Sequence, residues 1–81
     1  MTRVTLYGKP GCCLCEEARD VVATVRETFP FELEEVDVSL DPVLHRRYGE
    51  RIPVVAVDGE DALELHVEAR ALERLLARVG A

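Results

Sequence analysis

The sequence predicts an α/β fold with elements in the order βαβαββα, forming a four-stranded mixed sheet with helices on both faces. Three observations carry that expectation. Apolar residues recur at helical spacing after the cysteine cluster and again near the C-terminus. Short apolar runs of strand length stand between those segments. Asp58-Gly59 separates the last two such runs, which is a strong hairpin signal. A right-handed βαβ crossover makes the first two strands parallel neighbours, and the hairpin makes the last two antiparallel. With 81 residues, 48% of them hydrophobic, the chain forms one domain. It is near the lower size at which a core holds itself together unaided.

The first strand covers residues 3–7, and Gly8-Lys9-Pro10-Gly11 turns out of it. A helix follows from about Cys13 to Thr28, with Leu14, Ala18, Val21, Val22 and Val25 on one side. Pro30 stops it, because proline disfavours helical geometry at Phe29 before it. Phe31 and Leu33 alternate as a strand should, whereas Val36 and Val38 have the opposite parity. A bulge or an edge position is expected to absorb that slip. Asp41-Pro42 is an N-cap and first-turn pair opening a short helix, 43–48, which Gly49 ends. Val54-Val55-Ala56-Val57 is continuously apolar and predicts a strand buried on both faces. Residues 62–65 form the returning strand of the hairpin. The last helix runs from about 67 to 79, with Leu72, Leu75, Leu76 and Val79 on one face and Gly80 after it.

All three cysteines fall within Cys12-Cys13-Leu14-Cys15. A disulfide there closes almost no loop and cannot staple the fold, which frees the cysteines for chemistry. Cys12 lies just before a helix N-terminus, where unpaired N–H groups and the helix dipole favour thiolate over thiol. Its sulfur sits outside the helix, as an attacking thiolate requires. Cys15 is on the first helical turn, where its sulfur can approach that of Cys12 and resolve a mixed disulfide. Cys13 is separated from Cys15 by roughly 200° around the helix and is expected to be an incidental, semi-exposed thiol. Near a βαβ pattern, Cys-x-x-Cys reads as a dithiol redox motif. Lys9, the only lysine, either promotes the thiolate by its charge or holds a substrate carboxylate. Arg51 either steers an anionic substrate or balances local carboxylates. Ile52-Pro53 is the bond type for which a cis isomer is cheap, about 0.5–1 kcal/mol. A cis bend there presents the backbone of Ile52 to an extended substrate as an added strand.

This element order, with Cys12-x-x-Cys15 after the first strand, Lys9 three residues before Cys12 and Arg51-Ile52-Pro53 before the third strand, resembles the glutaredoxins. These are the smallest form of the thioredoxin fold, and the resemblance covers nearly the whole chain. It implies a glutaredoxin-like thiol–disulfide oxidoreductase with Cys12 and Cys15 catalytic. Lys9, Arg51, Ile52 and Pro53 are then the substrate-binding residues. Arg51-Ile52-Pro53 looks like the family's Thr-Val-Pro segment, whose proline is cis and packs beside the active cysteines. Two features depart from the pattern. Glutaredoxins usually carry Gly-Gly and an Asp after the last strand to hold glutathione, where this chain has Leu63-Glu64-Leu65-His66-Val67-Glu68. Cys13-Leu14 replaces Pro-Tyr between the active cysteines. The expected substrates are disulfide-containing proteins or small thiols. Either a low-molecular-weight thiol or a reductase is expected to reset the oxidised pair, and no cofactor is required.

The net charge of −6 and a pI of about 4.8 argue against nucleic acid or an anionic membrane as partner. No apolar stretch approaches membrane-spanning length, and no basic segment precedes an apolar run at the N-terminus. A cytoplasmic monomer is expected. His45 and His66 lack metal-finger spacing to the cysteines, and Glu32, Glu34, Glu35 and Asp37 read as the solvated face of an edge strand. Two rival readings stand beside dithiol exchange. One is a metal or iron–sulfur carrier using Cys12, Cys13 and Cys15, which needs a dimer or outside thiols because three thiolates on one turn cannot face one ion undistorted. The other is a non-catalytic thioredoxin-fold interaction module.

Overall fold

The computed structural model describes residues 2–79. The elements are β1 (Arg3–Gly8), α1 (Cys13–Thr28), β2 (Glu32–Asp37), a 3-10 turn (Val38–Leu40), α2 (Pro42–Tyr48), β3 (Val54–Val57), β4 (Glu60–Glu64) and α3 (Ala69–Val79). The predicted order βαβαββα is the observed one. The sheet order is β2-β1-β3-β4, with β1 parallel to β2 and antiparallel to β3, and β3 antiparallel to β4.

Side-chain alternation divides the core in two. Val4 and Leu6 of β1 and Val55 and Val57 of β3 face α1 and α3, where they meet Ala18, Val22, Val25, Leu72 and Leu76. Phe31 completes this larger cluster. Val54 of β3 points the other way and packs with Val38, Tyr48, Ile52 and Cys15, flanked by Tyr7, Cys12 and Leu44. β3 is buried along its whole length, as its unbroken apolar run predicts. Helices cover both faces because both faces of β3 must leave water.

Several boundaries differ from the expected ones, each for a local reason. The parity slip in β2 is absorbed at its ends. The β1–β2 register runs from Arg3↔Glu32 to Gly8↔Asp37 without a bulge, Phe31 precedes the strand, and Val38 is buried in the 3-10 turn after it. β2 is an edge strand, and its carboxylates are solvated or paired with arginines. Arg19 Nε lies 2.7 Å from Glu35, and Arg3 3.6 Å from Glu32. The Asp37 carboxylate instead accepts from the Ser39 N–H and caps the turn.

The bulge lies in the hairpin instead. Val55 pairs with Leu63 and Ala56 with Asp61, so Ala62 is the extra residue and β4 begins at Glu60 rather than at 62. Asp58 and Gly59 both have positive φ (51° and 87°), the geometry of the type I′ turn that this dipeptide favours. Gly49 follows α2 with helical φ and ψ. Its lack of a side chain serves a close approach, since a Cβ there would run into the His45 carbonyl oxygen. α3 starts at Ala69, two residues later than expected, and Val67 packs against the core just before it. The expected roles of the Val79 side chain and Gly80 lie outside the described residues. No described helix is long and apolar enough to cross a membrane.

Candidate active site

The cysteine turn is built by the end of β1 and the start of α1. Gly11 adopts φ 78°, a left-handed conformation that glycine takes without steric cost, and this reverses the chain into the helix. Cys12 is the N-cap, with extended φ and ψ of −96° and 115°. Its carbonyl accepts the first helical bond from the Glu16 N–H at 3.1 Å. Its sulfur accepts from the Cys15 N–H at 3.3 Å. A serine or aspartate oxygen would fill that place in an ordinary helix, so the capping atom here is the sulfur.

The three thiols have different surroundings. Cys12 is half-buried, Cys13 exposed and Cys15 buried. Cys15 tucks beneath β1, where Gly8 makes room for it: a Cβ on Gly8 would lie 3.2 Å from the Cys15 sulfur. Burial pushes the Cys15 thiol up to about 11, helped by its hydrogen bond with Cys12 and opposed by the Lys9 backbone. Cys13 and Cys15 face apart, as their helical positions predict. Among the described residues, no three His, Cys, Asp or Glu side chains are placed to hold a metal ion.

The opposite wall is the loop entering β3. The Ile52–Pro53 peptide is cis, Pro53 is fully buried, and Ile52 packs in the same cluster as Cys12 and Cys15. The fold thus brings Cys12 and Cys15 together with Ile52, from chain positions about forty residues apart, and Pro53 follows directly in the chain. The Ile52 N–H, however, already donates to the Tyr48 carbonyl at 3.0 Å. The turn after α2 folds it back, so only the Ile52 carbonyl is left for pairing with an added strand.

Arg51 is committed within the protein. Its Nε lies 2.6 Å from Glu64 and a terminal nitrogen 3.8 Å from Asp61, and its guanidinium sits over the Tyr48 ring at 5.5 Å. Of the two roles expected for it, balancing local carboxylates is the one this geometry displays. Lys9 is exposed, and among the described residues no carboxylate lies within ion-pair distance of it. It lines a cleft of about 440 Å³ on the β2 side of the cysteines, with Gly8, Cys15, Glu16 and Asp37 among the other walls. His45 and His66 are both exposed.

Three contributors escaped sequence reasoning. Tyr7 and Tyr48 stack with ring centroids 4.4 Å apart, forming an aromatic floor beside Cys12 and Ile52. The Tyr48 hydroxyl donates to Asp61 at 3.2 Å. Burial, and then the Asp61 charge, hold that hydroxyl above the ordinary tyrosine value. Gly8 is the third, for the space it leaves to Cys15. Nothing in linear order links these residues. Gly8 alone carried a signal, as a glycine abutting the motif.

Comparison with known proteins gives the family and the fold. Residues 3–78 match the family described as Glutaredoxin-like domain (DUF836). The uncharacterized protein Rv0508 of Mycobacterium tuberculosis is 27% identical, over 94% of this chain and 84% of its own length. The X-ray structure of target protein XcR50 from X. campestris superposes with a TM-score of 0.80 at 29% identity, covering 93% of this chain and 96% of the other. A mutant thioredoxin from Halobacterium salinarum gives a TM-score of 0.72 at 24% identity, over 95% and 73% of the two chains, which is a likeness of fold. With its βαβαββα order, its cysteine pair at a helix N-cap and a family match spanning almost the whole chain, this protein belongs to the glutaredoxin-like domain family and has the thioredoxin fold.

Proposed function

We propose that the protein is a dithiol–disulfide oxidoreductase working through Cys12 and Cys15. The observation that carries this reading is the division between the two sulfurs. Cys12 is accessible and accepts a backbone N–H at 3.3 Å, while Cys15 is buried and holds its proton up to about 11. The Cys12 thiolate attacks one sulfur of a substrate disulfide. A Cys12–substrate bond forms, the substrate S–S bond breaks, and the first substrate thiolate leaves and takes up a proton. Cys15 then gives up its proton and attacks the Cys12 sulfur. The Cys12–Cys15 disulfide forms and the second substrate thiol departs, so two electrons and two protons have passed to the substrate. A low-molecular-weight thiol or a reductase returns the pair to the dithiol. The substrates are protein or small-molecule disulfides, and the working unit is a single chain.

Trapping tests the reading. Cys15→Ser should accumulate a mixed disulfide between Cys12 and a peptide disulfide, visible by mass spectrometry and removed by added dithiol. Cys12→Ser should form none at Cys15. If neither variant nor the parent protein reacts with any disulfide faster than free cysteine does, the oxidoreductase reading fails and the interaction-module reading takes its place.

A further inference from the structure

Leu65 follows β4 with φ 65°. A leucine in this left-handed conformation crowds its own Cβ against backbone oxygen, whereas glycine adopts it freely. The surrounding hydrogen bonds hold it there. The Leu65 N–H donates to the Pro53 carbonyl at 2.9 Å and to the Arg51 carbonyl at 3.3 Å, and the His66 N–H closes back on Glu64 at 2.8 Å. Backbone strain of this kind persists only where neighbours over-determine it, and it clusters at functional sites. The side chain gains little inside the protein, since it is 42% exposed. A residue strained in its backbone and apolar in water is anchored to the carbonyls on either side of Ile52, the residue that packs in the cluster of Cys12 and Cys15.

We infer that Leu65 is a specificity-determining residue, and that it receives an apolar side chain next to the disulfide of an extended protein substrate. The inference rests on the dithiol reading above and names its substrate class. Ile52 has no partner for its carbonyl among the described residues, and that oxygen can accept a main-chain N–H from such a segment. Leu65 then covers the neighbouring side chain. Charge points the same way. Glu64, which precedes Leu65, and Asp61 share the single Arg51 guanidinium, so the local balance is negative, and a small disulfide carrying several carboxylates meets like charge there, while a neutral chain does not.

The test uses two disulfide-linked peptides identical but for leucine or serine beside the cysteine, with glutathione disulfide as a third substrate. The rate of reduction by the intact protein is measured on each. The leucine peptide should react about five-fold faster than the serine peptide, the size expected for covering roughly half a leucine side chain. Both should outrun glutathione disulfide. Leu65→Gly should bring the leucine-to-serine ratio close to one, and Leu65→Met should restore it. The ratio is the readout because loss of structure lowers both rates together. The urea midpoint of Leu65→Gly should not fall, since glycine relieves the backbone. A parent ratio near one, or a ratio that survives Leu65→Gly, overturns the assignment while leaving dithiol exchange standing. Failure of the parent protein on all three disulfides overturns both.

Discussion

Burial beneath β1 and a hydrogen bond with Cys12 keep the Cys15 thiol protonated up to about pH 11, while the Cys12 sulfur sits where solvent reaches it. Only thiolate attacks, so the two steps of exchange should respond differently to pH. Resolution by Cys15 is expected to speed up about tenfold per pH unit through the neutral and mildly alkaline range, as its thiolate fraction grows. Release of the second product after rapid mixing with a peptide disulfide follows this step directly. Iodoacetamide at pH 7 should label Cys12 and Cys13 well before Cys15, as read by peptide mass spectrometry. Equal labelling of Cys15 would mean that its burial does not hold in solution. Cys13→Ser should leave disulfide reduction near the parent rate, because its exposed sulfur faces away from Cys15.

Gly8 and the N-terminus of α1 act together to seat the cysteine pair. Cys15 is fixed by its helix, and a methyl group on Gly8 would meet both its sulfur at 3.2 Å and its Cβ at 3.3 Å. The strand and the helix would have to part slightly. Gly8→Ala is therefore expected to destabilise the protein by about 1–3 kcal/mol, the usual cost of overpacking a tight interior. The urea midpoint measures that loss. The same variant should slow resolution more than attack, since the pushed residue is Cys15, and Cys15→Ser trapping yields should stay high in the double variant. The other wall depends on a second pair of elements. Arg51 bridges to Glu64 and Asp61 of β4, and Tyr48 of α2 reaches the same Asp61. These contacts tie the loop before β3 to the hairpin behind it.

Two buried groups make the stability of the whole protein sensitive to alkali. Cys15 titrates near 11 when folded against 9.0 for a free thiol, and Tyr48 titrates above its ordinary 10.0. A group whose folded value is raised binds more protons in the folded state. Its contribution is complete below the unfolded value and is lost as pH rises through the folded one. Urea midpoints should therefore hold steady up to about pH 9 and fall between about 9 and 11. Cys15→Ser should flatten the early part of that fall, and Tyr48→Phe the later part. A parent midpoint that rises across this window would contradict the assigned burial of both groups. At neutral pH the larger core dominates, and Leu72→Ala, in a fully buried position between α3 and the sheet, should cost about 2–5 kcal/mol.

Element order, the parallel β1–β2 pair, the antiparallel β3–β4 hairpin, the N-cap position of Cys12 and the edge placement of β2 were legible in the linear chain, whereas the antiparallel pairing of β1 with β3 was not. Each legible feature is governed by neighbours in sequence: apolar periodicity, Asp58-Gly59, Asp41-Pro42, and the crossover that a helix between two strands imposes. The cysteine motif was legible for the same reason, since both thiols lie within one helical turn. Other features depended on the chain meeting itself. The Tyr7–Tyr48 stack, the space above Gly8, the capture of Arg51 by Glu64 and Asp61, and the folding back of the Ile52 N–H each join residues from separate elements. The bulge at Ala62 and the strained Leu65 belong to this second group, because pairing with β3 sets the first and hydrogen bonds to the loop before β3 set the second. Local patterns encode which elements form and in what order. Long-range packing decides which thiol keeps its proton, which cation is already paired, and which apolar side chain is left exposed.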